Sequence, residues 1–124
     1  MEDVRFEVFD RAIKYGIESL TAAERELYLI QDFIIEYEMN SLSGYFYDRL
    51  PEIKIVQETI NAMRANNMHE LSSLLDEALN LFQEYVDPKE TTTWGEILKK
   101  YDPTDLLGDI EGRIDKLLNY GITF

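Results

Sequence analysis

Carboxylates are the side chains through which this sequence could do chemistry, and they recur at helical spacing. Three rows stand out: Asp3, Glu7 and Asp10; Asp32 and Glu36; and Asp105, Asp109 and, less squarely, Glu111. Side chains four residues apart on a helix are neighbours, with β-carbons roughly 5–6 Å apart. Adjacent phosphates on one nucleic-acid strand have a comparable separation. Such rows can therefore stand in for a phosphate backbone where no lysine or arginine cancels them. They can equally be the solvated faces of an acidic bundle. The chain carries 25 acidic and 12 basic residues, a net charge of −13 over 124 residues, which is more than solubility requires. A surface of that sign repels nucleic acid and anionic membranes and attracts basic proteins.

Other chemistries fail on residue type. Cysteine is absent, which removes disulfides, thiol nucleophiles and thiolate metal sites. His69 is the single histidine, with Asn66 three residues before it, so the paired Glu-x-x-His motifs of di-iron bundles cannot form within one chain. No stretch, Asp102 to Glu111 included, has the oxygen-ligand order of a calcium loop. Ser72 and Ser73 lack a nucleophile-elbow context, and the glycines at 16, 44, 95, 108, 112 and 121 are too scattered to cradle phosphate. No pair of carboxylates on facing elements stands out as general acid and base. The expectation is a protein with no catalytic residues, no metal and no cofactor. Tyr45-Phe46-Tyr47 lies between Gly44 and Asp48 with only Arg49 basic nearby, which favours core packing over base stacking. Trp94 follows three threonines and reads either as a plug holding the C-terminal loop on the bundle or as a binding hot spot.

The elements that must position these groups are helical. Hydrophobic residues are 45% of the chain, enough for a buried core, and no stretch sustains a period of two. Val4, Phe6, Val8, Phe9, Ala12 and Ile13 predict a first helix fading near Gly16. Thr21-Ala22-Ala23-Glu24 has the capping-box pattern, and Leu27, Ile30, Ile34 and Tyr37 follow on what should be the central, most buried helix. Asn40-Ser41-Leu42-Ser43-Gly44 predicts a helix end or a tight turn. Pro51 suits the first turn of the next helix, with Ile53, Val56, Ile60 and Met63 on one stripe up to Asn66-Asn67. A further helix from Met68 buries Leu71, Leu74, Leu75, Ala78, Leu79, Phe82 and Tyr85. A loop through Pro88 and Thr91-Thr92-Thr93 precedes a short helix from Trp94 to Lys100 and a break at Asp102-Pro103. The last helix runs from about Asp105 to Asn119, burying Leu107, Ile110, Ile114, Leu117 and Leu118. The sum is an all-α, compact single-domain bundle of about six helices over residues 1–124.

Ala23-Glu24-Arg25-Glu26-Leu27-Tyr28 opens a stretch that continues through Met39-Asn40-Ser41-Leu42-Ser43-Gly44-Tyr45-Phe46-Tyr47-Asp48. It closes on Leu71-Ser72-Ser73-Leu74-Leu75-Asp76-Glu77-Ala78-Leu79-Asn80-Leu81-Phe82. From Ala23 to Phe82 the chain resembles a family of bacterial all-helical DNA-mimic proteins. Many relatives carry an Asn, paired glycines, an aromatic, and an aromatic cluster ending in Asn. Here Asn40 and Ser41 stand where the glycine pair is expected, Leu42 follows, and Asp48 replaces the closing Asn. The resemblance implies an all-helical fold and a surface that resembles DNA in charge. In the best-known member that surface occupies a transcription factor's DNA-binding site. It supplies no catalytic residues to carry over.

The combined expectation is a non-enzymatic acidic protein binding a basic partner, a DNA-binding protein or transcription factor, by DNA mimicry. Asp3, Glu7, Asp10, Asp32, Glu36, Asp105, Asp109 and Glu111 are the candidate contact residues. Direct binding to nucleic acid or membrane is not expected. An immunity or antitoxin-type protein covering a basic toxin, or a helical small-molecule binder, are the alternatives. No apolar run reaches the roughly 20 residues needed to span a bilayer. Met1-Glu2-Asp3 is acidic where a secretory signal would be basic, so a cytoplasmic location is expected.

Overall fold

The computed structural model describes residues 4–83 and 93–120, and among them the regular structure is six α-helices and two short 3-10 turns, with no strand. Asp3, Tyr85, Pro88 and Thr91-Thr92 lie outside the described residues. The first helix, α1, spans Val4–Tyr15 and stops at Gly16, whose φ of +88° suits glycine and whose N–H returns to the Ala12 carbonyl at 2.9 Å. Ala12 is buried as its spacing predicts, but Ile13, expected beside it, is exposed.

The second helix, α2, spans Ala22–Arg49. Its start is the predicted capping box: Thr21 Oγ1 accepts from the Glu24 N–H at 3.1 Å, and Glu24 Oε1 accepts from the Thr21 N–H at 2.9 Å. The interruption predicted at residues 40–44 is a break at one residue, Ser41, with φ 68° and ψ 176°. The helix resumes at once and carries Leu42, Tyr45 and Phe46 into the core. The chain folds tightly at this point: a β-carbon on Gly44 would lie 2.5 Å from the Asn40 β-carbon, so only glycine fits there.

Ser41 occupies a backbone region that is populated essentially by glycine alone and costs other residues about 1–3 kcal/mol. Ser41→Gly should relieve that strain, offset in part by roughly 0.5–1 kcal/mol of extra backbone freedom in the unfolded chain. The expected net gain is about 1 kcal/mol, read as a melting temperature raised by about 4 °C. An unchanged or lowered melting temperature would show that the Ser41 hydroxyl offsets the strain.

A 3-10 turn at Leu50–Glu52 places Pro51 in its opening turn and leads into α3, Ile53–Ala65. α3 ends in a Schellman motif. Asn67 takes a positive φ of 61°, the Met68 N–H reaches the Met63 carbonyl at 2.8 Å, and the Asn67 N–H reaches Arg64 at 3.2 Å. α4 (His69–Asn80) follows directly, and α5 (Trp94–Tyr101) is capped by the Thr93 hydroxyl. α6, Leu106–Tyr120, completes the described chain.

α2 packs against α1, α3 and α6, while α4 packs against α3 and α6. The core is aromatic at its centre. Phe33 meets Tyr45 edge-on at 4.8 Å between ring centroids, Tyr45 meets Phe46 at 5.6 Å, and Phe46 meets Phe82 at 5.1 Å. Val56, Met63, Leu71, Leu75, Ile110 and Ile114 surround these rings, with Leu117 and Leu118 partly buried at the edge. Ile97 of α5 joins the cluster, and Trp94 stacks on Phe82 at 6.1 Å, as a plug would. Among the described residues no helix is long and apolar enough to cross a membrane.

Candidate acidic interface and the cleft at the helix break

Where the arginines go decides which carboxylates stay free. Arg11 of α1 pairs with Glu24 of α2, Arg25 of α2 with Glu58 of α3 at 3.0 Å, and Arg64 of α3 with Asp76 of α4 at 3.7 Å. Arg113 of α6 reaches Glu77 of α4 at 3.0 Å and Asp109 at 3.2 Å. Arg49 holds Asp32 through both carboxylate oxygens at 2.7 Å, with Glu36 at 3.8 Å. Burial pulls the Arg49 guanidinium down, yet the hydrogen bonds and charge of Asp32 outweigh it and hold the group above its ordinary value. These pairs fasten neighbouring helices, and the half-exposed ones each contribute little stability. Their larger effect is on the surface, where these five arginines are no longer available as counter-charges to the remaining described carboxylates.

The predicted rows fare differently. Asp10 is exposed; the side chain of Glu7, like all of Asp3, lies outside the described residues. Asp32 and Glu36 are half-buried around Arg49, and Glu36 also accepts from Asn40 Nδ2 at 3.0 Å. Asp105 and Asp109 are exposed, Asp109 beside Arg113. Asp105 caps α6 by accepting from the Gly108 N–H at 3.3 Å. Glu111 turns the other way, since two residues on a helix are about 200° apart. The structure thus groups Asp105 with Asp109 on the solvent face and sends Glu111 inward.

Inward, Glu111 meets the break in α2. Its Oε1 accepts from the Leu42 N–H at 2.8 Å, satisfying an amide that the break leaves without a helical partner. One turn on, Asp115 accepts from the Tyr37 hydroxyl at 2.5 Å, and the same hydroxyl meets the Glu111 carbonyl oxygen at 2.9 Å. Burial, then the hydrogen bond to Asp115, pushes the Tyr37 hydroxyl far above its ordinary range. Below this sits Asp102, buried at the start of α6, accepting from the Leu106 N–H at 2.7 Å and the Leu107 N–H at 3.0 Å. Sequence reasoning passed over Asp102. Its signal was an Asp directly before Pro103 and four residues ahead of an apolar helical stripe.

Above the break lies an open cleft of about 620 Å³ lined by Asn40, Ser41, Ser43, Gly44, Tyr47, Asp48 and Trp94. Tyr47, expected in the core with its neighbours, is 60% exposed and meets Trp94 edge-on at 5.6 Å. The Trp94 Nε1–H donates to Ser43 Oγ at 2.6 Å, which fixes the indole. A second cleft, about 640 Å³, runs between α4 and α6 over Leu74 and Leu117 and includes the exposed His69. Among the described residues no group of three or more histidine, aspartate or glutamate side chains could hold a metal ion.

Neither a curated protein nor a solved structure matches the chain. The family model described as DMP19-like protein matches residues 18–121, a span running from the turn before α2 to the end of α6. The position where the resemblance leads one to expect a glycine pair is that of the Ser41 break, where φ is 68°. On that match the chain belongs to the DMP19-like family, a family of non-enzymatic DNA mimics.

Proposed function

We propose that this protein binds a basic DNA-binding protein by presenting carboxylates where that partner would otherwise hold phosphates. The observation that supports it best is the commitment of Arg11, Arg25, Arg49, Arg64 and Arg113 to pairs within the fold. Asp10, Glu38, Asp48 and Asp105 stay exposed, with no cationic partner among the described residues. Asp109, beside Arg113, extends the Asp105 face. Exposed charges of this kind act mainly by steering association.

Capture from a native lysate at low salt identifies the partner, and competition with duplex DNA then tests the reading. Partner bound to DNA and partner bound to this protein should be mutually exclusive. Asp105→Asn with Asp109→Asn should slow association about two- to fivefold at low salt, and the difference should vanish as salt shortens the roughly 8 Å Debye length. Asparagine retains the α6 cap and tolerates the positive φ of Asp105, so the fold is preserved. A stable ternary complex with DNA, or rates indifferent to both salt and these substitutions, would overturn the proposal.

A further inference from the structure

The cleft over the break in α2 has a composition that the exposed carboxylate faces lack. Tyr47 offers a largely open ring, and its edge-on contact with Trp94 holds it in place. Trp94 is itself fixed by Phe82 behind it and by Ser43 at its Nε1. Next to Tyr47 stands Asp48, exposed and without a cationic partner among the described residues, while Arg49 turns away to Asp32. Among the described residues no lysine or arginine lines the cleft. Asn40 donates its Nδ2 to Glu36, which leaves its Oδ1 as an acceptor at the same rim. An aromatic face, a carboxylate and an amide oxygen around one open space are complementary to a planar cation. A guanidinium can stack on the ring and pair with the carboxylate together, whereas an ammonium is a more strongly hydrated point charge.

Resting on the proposed function, we propose that the cleft formed by Tyr47, Asp48, Asn40 and Trp94 receives one arginine side chain of the basic partner, stacked on Tyr47 and paired with Asp48. It turns a diffuse acidic surface into one with a fixed register, because phosphate-like rows position a partner without specifying a single point of contact. In DNA-binding proteins arginines are among the groups that hold phosphates, so such an anchor draws on side chains already present on the partner.

Trp94 is the single tryptophan of the chain, so its emission reports directly on this cleft. A hexa-arginine peptide titrated at low salt should change Trp94 emission saturably, and a hexa-citrulline peptide of equal size should not. Asp48→Asn and Tyr47→Leu should each weaken peptide binding about three- to tenfold by calorimetry, while Glu70→Gln, a charge control at an exposed position of α4, should weaken it less than twofold. Both altered side chains are exposed, and far-UV circular dichroism should show that the variants remain as helical as the wild type. Peptide bound with unaltered Trp94 emission, and equally by wild type and Asp48→Asn, would overturn the arginine site while leaving the acidic-surface reading standing. Absence of any peptide binding at low salt would overturn both.

Discussion

Asp102→Ala is expected to lower the melting temperature by about 10 °C, corresponding to a loss of about 2–3 kcal/mol. The carboxylate is buried, and its two oxygens accept from the Leu106 and Leu107 N–H groups, among the first amides of α6. Those amides have no intrahelical acceptor, and the Leu107 bond is itself buried, so alanine leaves donors that solvent cannot readily reach. The negative charge also faces the positive end of the α6 dipole, which adds to the loss. Asp102→Asn keeps one carbonyl acceptor and no charge, and should lose about half as much. Thermal melts followed by far-UV circular dichroism distinguish the two variants. A loss under about 1 kcal/mol for alanine would mean that water replaces the carboxylate at both amides.

Raising the pH above 10 should unfold the protein with a specific signature at Tyr45. Burial pushes its hydroxyl up to about 12, against an ordinary value of 10. The folded state therefore keeps its proton between these values while the unfolded chain releases it. A group whose folded pKa is raised leaves stability intact below pH 10 and removes it progressively as pH climbs toward 12, by about 2.7 kcal/mol for two units. The Tyr45 hydroxyl lies near Thr59 but makes no hydrogen bond of good geometry, and the Thr59 hydroxyl donates its own proton to the Ile55 carbonyl at 2.8 Å. Tyr45→Phe should accordingly leave stability at pH 8 unchanged or slightly higher, because a buried polar group without a partner is removed. Lysine deprotonation is common to both proteins and cancels in their difference. Urea unfolding of wild type and variant at pH 8 and pH 11.5 should show the difference moving by about 2 kcal/mol in favour of phenylalanine. A pH-independent difference would show that the Tyr45 hydroxyl ionises as it does in water.

What could be read from the sequence was local. The Thr21–Glu24 box, the Asn66-Asn67 stop and the stripe through Leu71, Leu75 and Ala78 each depend on partners within a turn or two, and each appears where its spacing put it. The Asn40–Gly44 interruption was visible for the same reason, but its form was not. Whether a chain turns or merely breaks and continues depends on what meets the freed amide, and that is Glu111 from the far end of the chain. The same limit applied to the carboxylates. Residues 32 and 36 share a helix face, yet only the fold brings Arg49 between them. Residues 109 and 111 lie close in sequence and point to opposite surroundings. Tyr47 could not be separated from Tyr45 and Phe46 by composition; the register of the helix after Ser41 turns it outward.

The cap on Leu42 has a consequence for synthesis. Its acceptor, Glu111, lies 69 residues further along the chain. A ribosome adding about 5–20 residues each second makes Leu42 several seconds before it makes Glu111. Through that interval the Leu42 amide lacks the acceptor that caps it in the finished fold. Asp115, which holds the Tyr37 hydroxyl on the same side of α2, is made later still. The contacts that hold the backbone on either side of Ser41 thus become available only once α6 has been made.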